Sequence, residues 1–249
     1  MKITMEIRFF ITSILFSITA TGYAGQTLID GKTLIDGKTT KQASNKATTA
    51  KASAAAWTAK GFAFYEQDKN ASAAFWFRKA ALAGEPSAAY NLAVMYFGGE
   101  ANNINEKQAL AMIEQSAGKG FALAQHMLGT FYEQGKHVIA SQSKAFELFE
   151  KAALNNHTDA FVSLATQYYL GRGVEINFTQ AAKWYEKAAQ KGDVGSQYLI
   201  ASMYETGTGV KLNTQAALEW YTAAARQGDF VAKEKAKVLA EQLANQKSS

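Results

Sequence analysis

Residues 173–193, GVEINFTQAAKWYEKAAQKGD, return 36 positions later as GVKLNTQAALEWYTAAARQGD over 209–229. Steps of the same length connect like residues along most of the chain. Alanine recurs at Ala73, Ala109, Ala145, Ala181 and Ala217, and again at Ala81, Ala117, Ala153, Ala189 and Ala225. Large apolar or aromatic residues recur at Phe77, Ile113, Phe149, Tyr185 and Tyr221, and tyrosine at Tyr96, Tyr132, Tyr168 and Tyr204. A fixed period of about 20–50 residues marks a repeat architecture and outranks any local motif. A single hairpin of this size buries too little apolar surface to offset the entropy of ordering it. The copies must therefore share their apolar faces.

Working outward from the quoted stretch, four units begin near Ser87, Leu123, Asp159 and Gly195. Each opens with a helix carrying a small residue (Ala88, Ala124, Ala160, Ser196), then Leu92, Leu128, Leu164 or Ile200, then the ladder tyrosine. Gly99, Gly135, Gly171 and Gly207 close that helix, because the chain must leave it through a positive φ that other residues resist. A loop of seven to ten residues follows, and then a second helix, AAKWYEKAA in its clearest copy. That helix ends at Gly84, Gly120, Gly192 and Gly228, with Asn156, the next most tolerant residue, in the remaining copy.

The leucine-to-tyrosine helix, the GxGV loop at Gly171 to Val174 and Gly207 to Val210, the AAxWY helix and the closing KGD or QGD resemble the Sel-one-like repeat family, a relative of the tetratricopeptide repeat with a longer loop. The likeness covers Trp57 to Asp229 and is weakest in FGGEANNINEK and EQGKHVIASQSK, which lack the GxGV form. Residues 57–86, with Trp57, Gly61, Phe64, Ala73, Phe77 and Ala80 at tetratricopeptide spacing, read as an N-terminal hairpin, and 87–229 as four long repeats. Residues 230–249 read as a capping helix and tail, with Ala232, Ala236, Leu239 and Leu243 inward and Lys233, Lys235, Lys237 and Glu241 wet. The expected fold is all-α, a right-handed α-solenoid of stacked antiparallel hairpins.

Lys2 and Arg8 flank a charged start, Phe9 to Ala20 is an uncharged apolar run, and Gly22-Tyr23-Ala24 supplies small residues for cleavage after Ala24. Residues 1–24 thus read as an export signal, too short to span a bilayer, and the expected location is the periplasm or outside the cell. Residues 25–56, with TLIDGK at Thr27 to Lys32 repeated at Thr33 to Lys38, read as a low-complexity tether. The net charge of +5 lies mostly in this region: residues 57–249 hold 19 basic against 18 acidic residues, so no basic stripe marks a nucleic-acid binder.

The chain has no cysteine, which excludes disulfides and thiolate metal sites. His126, His137 and His157 have no metal-ligand spacing, so no metal and no cofactor is expected. Gly171-Arg172-Gly173 and Gly207-Thr208-Gly209 follow helices and lack the residues of a phosphate cradle. Ser-x-x-Lys at Ser116 to Lys119 and Ser141 to Lys144 lacks its companion motifs, and no catalytic residue is assigned.

What remains is surface. Two residues turn a helix by about 200°, so positions two beyond each seam residue face away from the packing side. That face comprises Tyr90, Val94 and Phe97; His126, Thr130 and Glu133; Val162, Thr166 and Tyr169; and Tyr198, Ser202 and Glu205. The resemblance implies that it lines a concave groove binding another protein, in a monomeric, non-enzymatic adaptor or regulator. An immunity-type inhibitor of a toxin delivered to the periplasm is the alternative role. An envelope hydrolase or a glycan-binding protein is a third.

Overall fold

The structure is a computed structural model that describes residues 52–247, all of it helix, turn or loop. Helix α1 covers 52–65. It is followed by α2 (Asn70–Leu82), α3 (Pro86–Phe97), α4 (Glu106–Gly118), α5 (Ala122–Gln134) and α6 (Gln142–Leu154). Then come α7 (Thr158–Leu170), α8 (Phe178–Gln190), α9 (Val194–Thr206), α10 (Thr214–Arg226) and α11 (Phe230–Lys247). The expected export signal, and the tether as far as residue 51, lie outside the described residues. Residues 52–56 of the stretch expected as tether are helical: Ala54 is buried and its carbonyl accepts a bond from Thr58 Oγ1 at 3.0 Å.

From α2 onward each helix packs against the next, so the chain is a stack of hairpins with a one-dimensional order of contacts. The 36-residue ladders are its interior. Ala73, Ala109, Ala145, Ala181 and Ala217 are all at 0% exposure, one in each second helix. Phe77, Ile113, Phe149, Tyr185 and Tyr221, one turn further along those helices, are buried to 4% exposure or less. A methyl group at the first position lets helix axes approach closely; a large side chain at the second fills the space between hairpins.

Each ladder glycine does the same work in its copy. Gly99, Gly135, Gly171 and Gly207 have φ of 67–75°, and the residue after each donates its N–H to the carbonyl of Met95, Phe131, Gln167 or Met203 at 2.8–3.1 Å. This closes the helix with a six-residue ring that satisfies an otherwise orphaned carbonyl. The second turn behaves alike, and Asn156 takes a φ of 62° with His157 N donating to Ala152 O at 3.1 Å. Side chains tie these turns together across units. Lys119 Nζ, Asn155 Nδ2 and Gln227 Nε2 donate to the carbonyls of Gly84, Gly120 and Gly192, each one unit back, at 2.7–3.2 Å.

The GxGV loops are shaped by contact with the preceding unit. A Cβ on Gly173 would lie 2.2 Å from Gln142 O, and one on Gly209 equally close to Phe178 O, so these loops rest on the start of the preceding second helix. The loop of EQGKHVIASQSK, without GxGV, keeps the same path. His137 stands where Gly173 stands one unit on, with φ 66°, and its Nδ1 meets Glu106 at the start of α4 at 2.6 Å. In FGGEANNINEK, Ala101 and Ile104 turn inward and are buried, and Asn105 caps α4 with a reciprocal Gln108 bond.

Helix α11 closes the stack with Ala232 and Leu239 buried and Lys233, Lys237 and Glu241 exposed. Lys235 departs from the expected wet face. It is half-buried and pairs with Glu205 at 3.0 Å, because its stem lies along α9 and its ammonium finds a carboxylate there. Because the seam has no spare volume, Ala181→Leu is expected to destabilise the fold by about 1–3 kcal/mol, measured as a lowered urea midpoint; an unchanged midpoint contradicts this packing.

Candidate functional site

Helices α3, α5, α7 and α9 are the first helices of successive units, and the twelve expected groove residues form three rows across them. All are half-buried except Tyr169, which is 40% exposed. The row nearest the helix starts is Tyr90, His126, Val162 and Tyr198. Tyr90 packs edge-on against Phe121, and burial together with the Asp159 charge pushes its hydroxyl up to about 12. Asp159 belongs to α7, two first helices further on. His126 Nε2 is hydrogen-bonded to Ser163 Oγ at 3.0 Å, and its ring lies 4.9 Å from that of His157 and 5.4 Å from Phe149. Val162 packs on the core and Tyr198 lies edge-on to Tyr221 at 5.3 Å.

In the middle row, Thr130 and Thr166 donate to the carbonyls of His126 and Val162, and Thr166 also bonds Tyr185 Oη at 2.9 Å. Val94 and Ser202 complete that row, and the Ser202 carbonyl accepts a bond from Thr206 Oγ1 at 2.9 Å.

The third row, in the last turn of each helix, is Phe97, Glu133, Tyr169 and Glu205, in which aromatic and acidic residues alternate. Phe97 lies against Phe131 and His137, and Tyr169 against Phe178 at 5.2 Å. Glu133 accepts a bond from Gln167 Nε2 at 2.8 Å and has Arg172 only at 3.7 Å. Glu205 is more fully held. Burial raises its carboxyl, but the Tyr221 hydroxyl at 2.7 Å and Lys235 outweigh it, and the net shift is downward.

Gln167, Arg172, Ser163 and Lys235 are partners of these rows that the sequence analysis did not place there. Gln167 was detectable: it interrupts the apolar ladder Met95, Phe131, Met203 and is 1% exposed. Other expected sites resolve into packing. Ser116 is fully buried and donates to Pro86 O at 2.8 Å, and Ser141 caps α6. His126 and His157 adjoin, whereas His137 sits in the α5–α6 loop. A shallow cleft of about 370 Å³ lies between Asn156, Phe161, Trp184 and Lys191. Lys187 covers the Trp184 ring there at 3.9 Å.

The family model for the Sel1 repeat matches residues 55–85, 86–121, 122–157, 163–193 and 194–229. The chain belongs to the Sel1 repeat family. The first hairpin is thus matched as a Sel1 repeat as well as the four long units. A crystal structure of a Sel1 repeat protein from Oxalobacter formigenes is 31% identical, with TM-score 0.62 over 67% of this chain and 49% of its own. A protective antigen of uropathogenic Escherichia coli with an SLR fold is 27% identical, with TM-score 0.68 over 86% of this chain and 49% of its own. This chain spans about half the length of each. No curated protein matches the sequence.

The His126–His157 pair gives this Sel1 repeat stack a pH dependence. Burial, and secondarily His157, lower the His126 pKa from 6.5 to about 4; burial also lowers His157, against the pull of Asp159. A lowered folded-state pKa means that the unfolded chain takes up protons first as pH falls. The His126 contribution is therefore complete above pH 6.5 and is lost between 6.5 and about 4, on the order of 3 kcal/mol. Urea unfolding at pH 4.5 and pH 7 is expected to show this loss, and His126→Gln to reduce it.

Proposed function

We propose that the protein is an exported, monomeric, non-enzymatic adaptor or regulator that binds another polypeptide along the face of its first helices. The observation carrying this proposal is the third row, where the exposed Tyr169–Phe178 pair stands between Glu133 and Glu205 on neighbouring helices. Aromatic anchors flanked by charges suit recognition of another protein, in which a few rings supply most of the binding energy. Tyr90 and Tyr198, packed on Phe121 and Tyr221, shape the floor.

Export is supported by the charged start and the apolar run of residues 9–20. Fractionated cells are expected to hold the protein in the periplasm with Gly25 as its first residue by intact mass; a cytoplasmic chain beginning at Met1 would contradict export. For the groove, capture from envelope extract is compared between the unaltered chain and Tyr169→Ala/Phe178→Ala. Recovery of a partner is expected to fall at least about tenfold, since a hot-spot ring carries about 2 kcal/mol or more, while Gln190→Ala, in the cleft beside Trp184, keeps it. Equal recovery by all three chains would remove the groove from the proposal.

A further inference from the structure

The first hairpin differs from the others on its outer face. In α2 the seam side is Ala73, Phe77 and Ala80, all buried, and Phe75, Arg78, Lys79 and Leu82 fall on the other side at steps of three or four residues. All four are exposed, Phe75 to 58% and Leu82 to 83%. The 36-residue period supplies a comparison inside the same molecule. Where α2 has Phe75, the later second helices have Ala111, Glu147, Lys183 and Glu219; where it has Arg78, they have Glu114, Glu150, Glu186 and Thr222. Among the second helices, only α2 joins large apolar residues to cations on this face without an acid.

Charge sets the hairpin apart as well. Residues 52–65 and 70–82, its two helices, hold Lys60, Arg78 and Lys79 and no acidic residue; Glu66, Asp68 and Glu85 lie in the turns at their ends. Residues 39–51, which lead into α1, add Lys41, Lys46 and Lys51 and again no acid. Two of the cations stand over rings. Lys79 Nζ is 4.3 Å from the centre of the Trp57 ring and 5.2 Å from that of Trp76, and Lys60 Nζ is 4.6 Å from Trp76. Phe75 meets Trp76 edge-on at 5.3 Å, which joins these rings to the exposed stripe. Indole, methylene stem and ammonium in one cluster suit the boundary between acyl chains and headgroups, where each finds its own medium.

Shape decides between a bilayer and an acidic protein. Phe75 and Leu82 stand two turns apart, about 10 Å, on the convex back of a helix. A protein partner would have to offer each of them a pocket, whereas a bilayer surface accepts a convex face directly. We propose that the outer face of the first hairpin docks on an anionic phospholipid bilayer, with Phe75 and Leu82 entering the headgroup boundary and Lys60, Arg78 and Lys79 set against lipid phosphates. This docking is independent of the groove reading above, because it uses α1 and α2 and leaves α3, α5, α7 and α9 free.

The chain has no cysteine, so an introduced thiol labels uniquely. An environment-sensitive dye on Leu82→Cys in the full chain reads insertion of this face. Its emission is expected to shift to the blue on vesicles of phosphatidylcholine and phosphatidylglycerol in equal parts, and to stay in place on phosphatidylcholine alone. Arg78→Glu/Lys79→Glu is expected to weaken partition at least about tenfold, since each cation at an anionic surface contributes roughly fivefold, and Phe75→Ser to reduce the shift. Raising the salt from about 0.1 M to 1 M, which shortens the screening length from about 10 Å to 3 Å, is expected to release the parent chain without any substitution. The same dye on Gln190→Cys, the equivalent position three units on, is expected to stay unshifted. No shift in the parent, equal shifts on both kinds of vesicle, indifference to salt, or an equal shift at position 190 overturns the proposal. A shift produced by polyglutamate and not by vesicles overturns it in favour of an acidic protein. The dye reports on this face alone, so adsorption through the apolar run of residues 9–20 does not imitate the expected result.

Discussion

The structure depends on a seam of alanine methyls. Five sealed alanines, one in each second helix, set how near the hairpins lie, and the large residue one turn on occupies the space that this distance leaves. Neither element works without the other. A bigger residue in the seam would push the hairpins apart and uncover the rings and branched chains beside it, whereas a smaller residue in the second ladder would leave a void. Because the seam is continuous, apolar surface that one hairpin cannot bury is buried by two.

That constraint also determines where recognition chemistry can sit. The second helices spend their apolar faces on the seam, and both inter-helix turns are closed by backbone rings and by side chains reaching the unit before. The first helices are left with one face that is neither sealed nor fully wet. On it, polar groups such as His126, Glu133 and Glu205 are fastened to the neighbouring unit, while Tyr169, packed on Phe178, is the most exposed of the twelve. A surface whose polar groups and exposed ring are already held in place can recognise a partner at little cost in ordering.

Much of this was legible in the letters, for a physical reason. Residues stacked by translation along a solenoid recur at the period itself, so the ladders, the closing glycines and the substitution of Asn156 for glycine could be placed without coordinates. The ties between neighbouring first helices could not. They join His126 to Ser163, Glu133 to Gln167 and Glu205 to Lys235, at separations of 37, 34 and 30 residues. These offsets reflect the stagger and rotation of one helix against the next, which periodicity does not encode. The loop containing His137 was illegible for a related reason: its path is dictated by the surface of α4 beneath it rather than by glycines of its own.

Half-buried aromatics carry the packing from one unit to the next: Tyr132 touches buried residues on both sides of it, and Tyr204 and Trp220 do the same further along. Between α5 and α6 the fit is close, since a Cβ on Gly129 would meet the Phe149 ring at 2.7 Å and the His126 ring lies 5.4 Å from it. A load applied at one end of the stack is therefore handed from hairpin to hairpin through rings, without a gap in the chain of contacts.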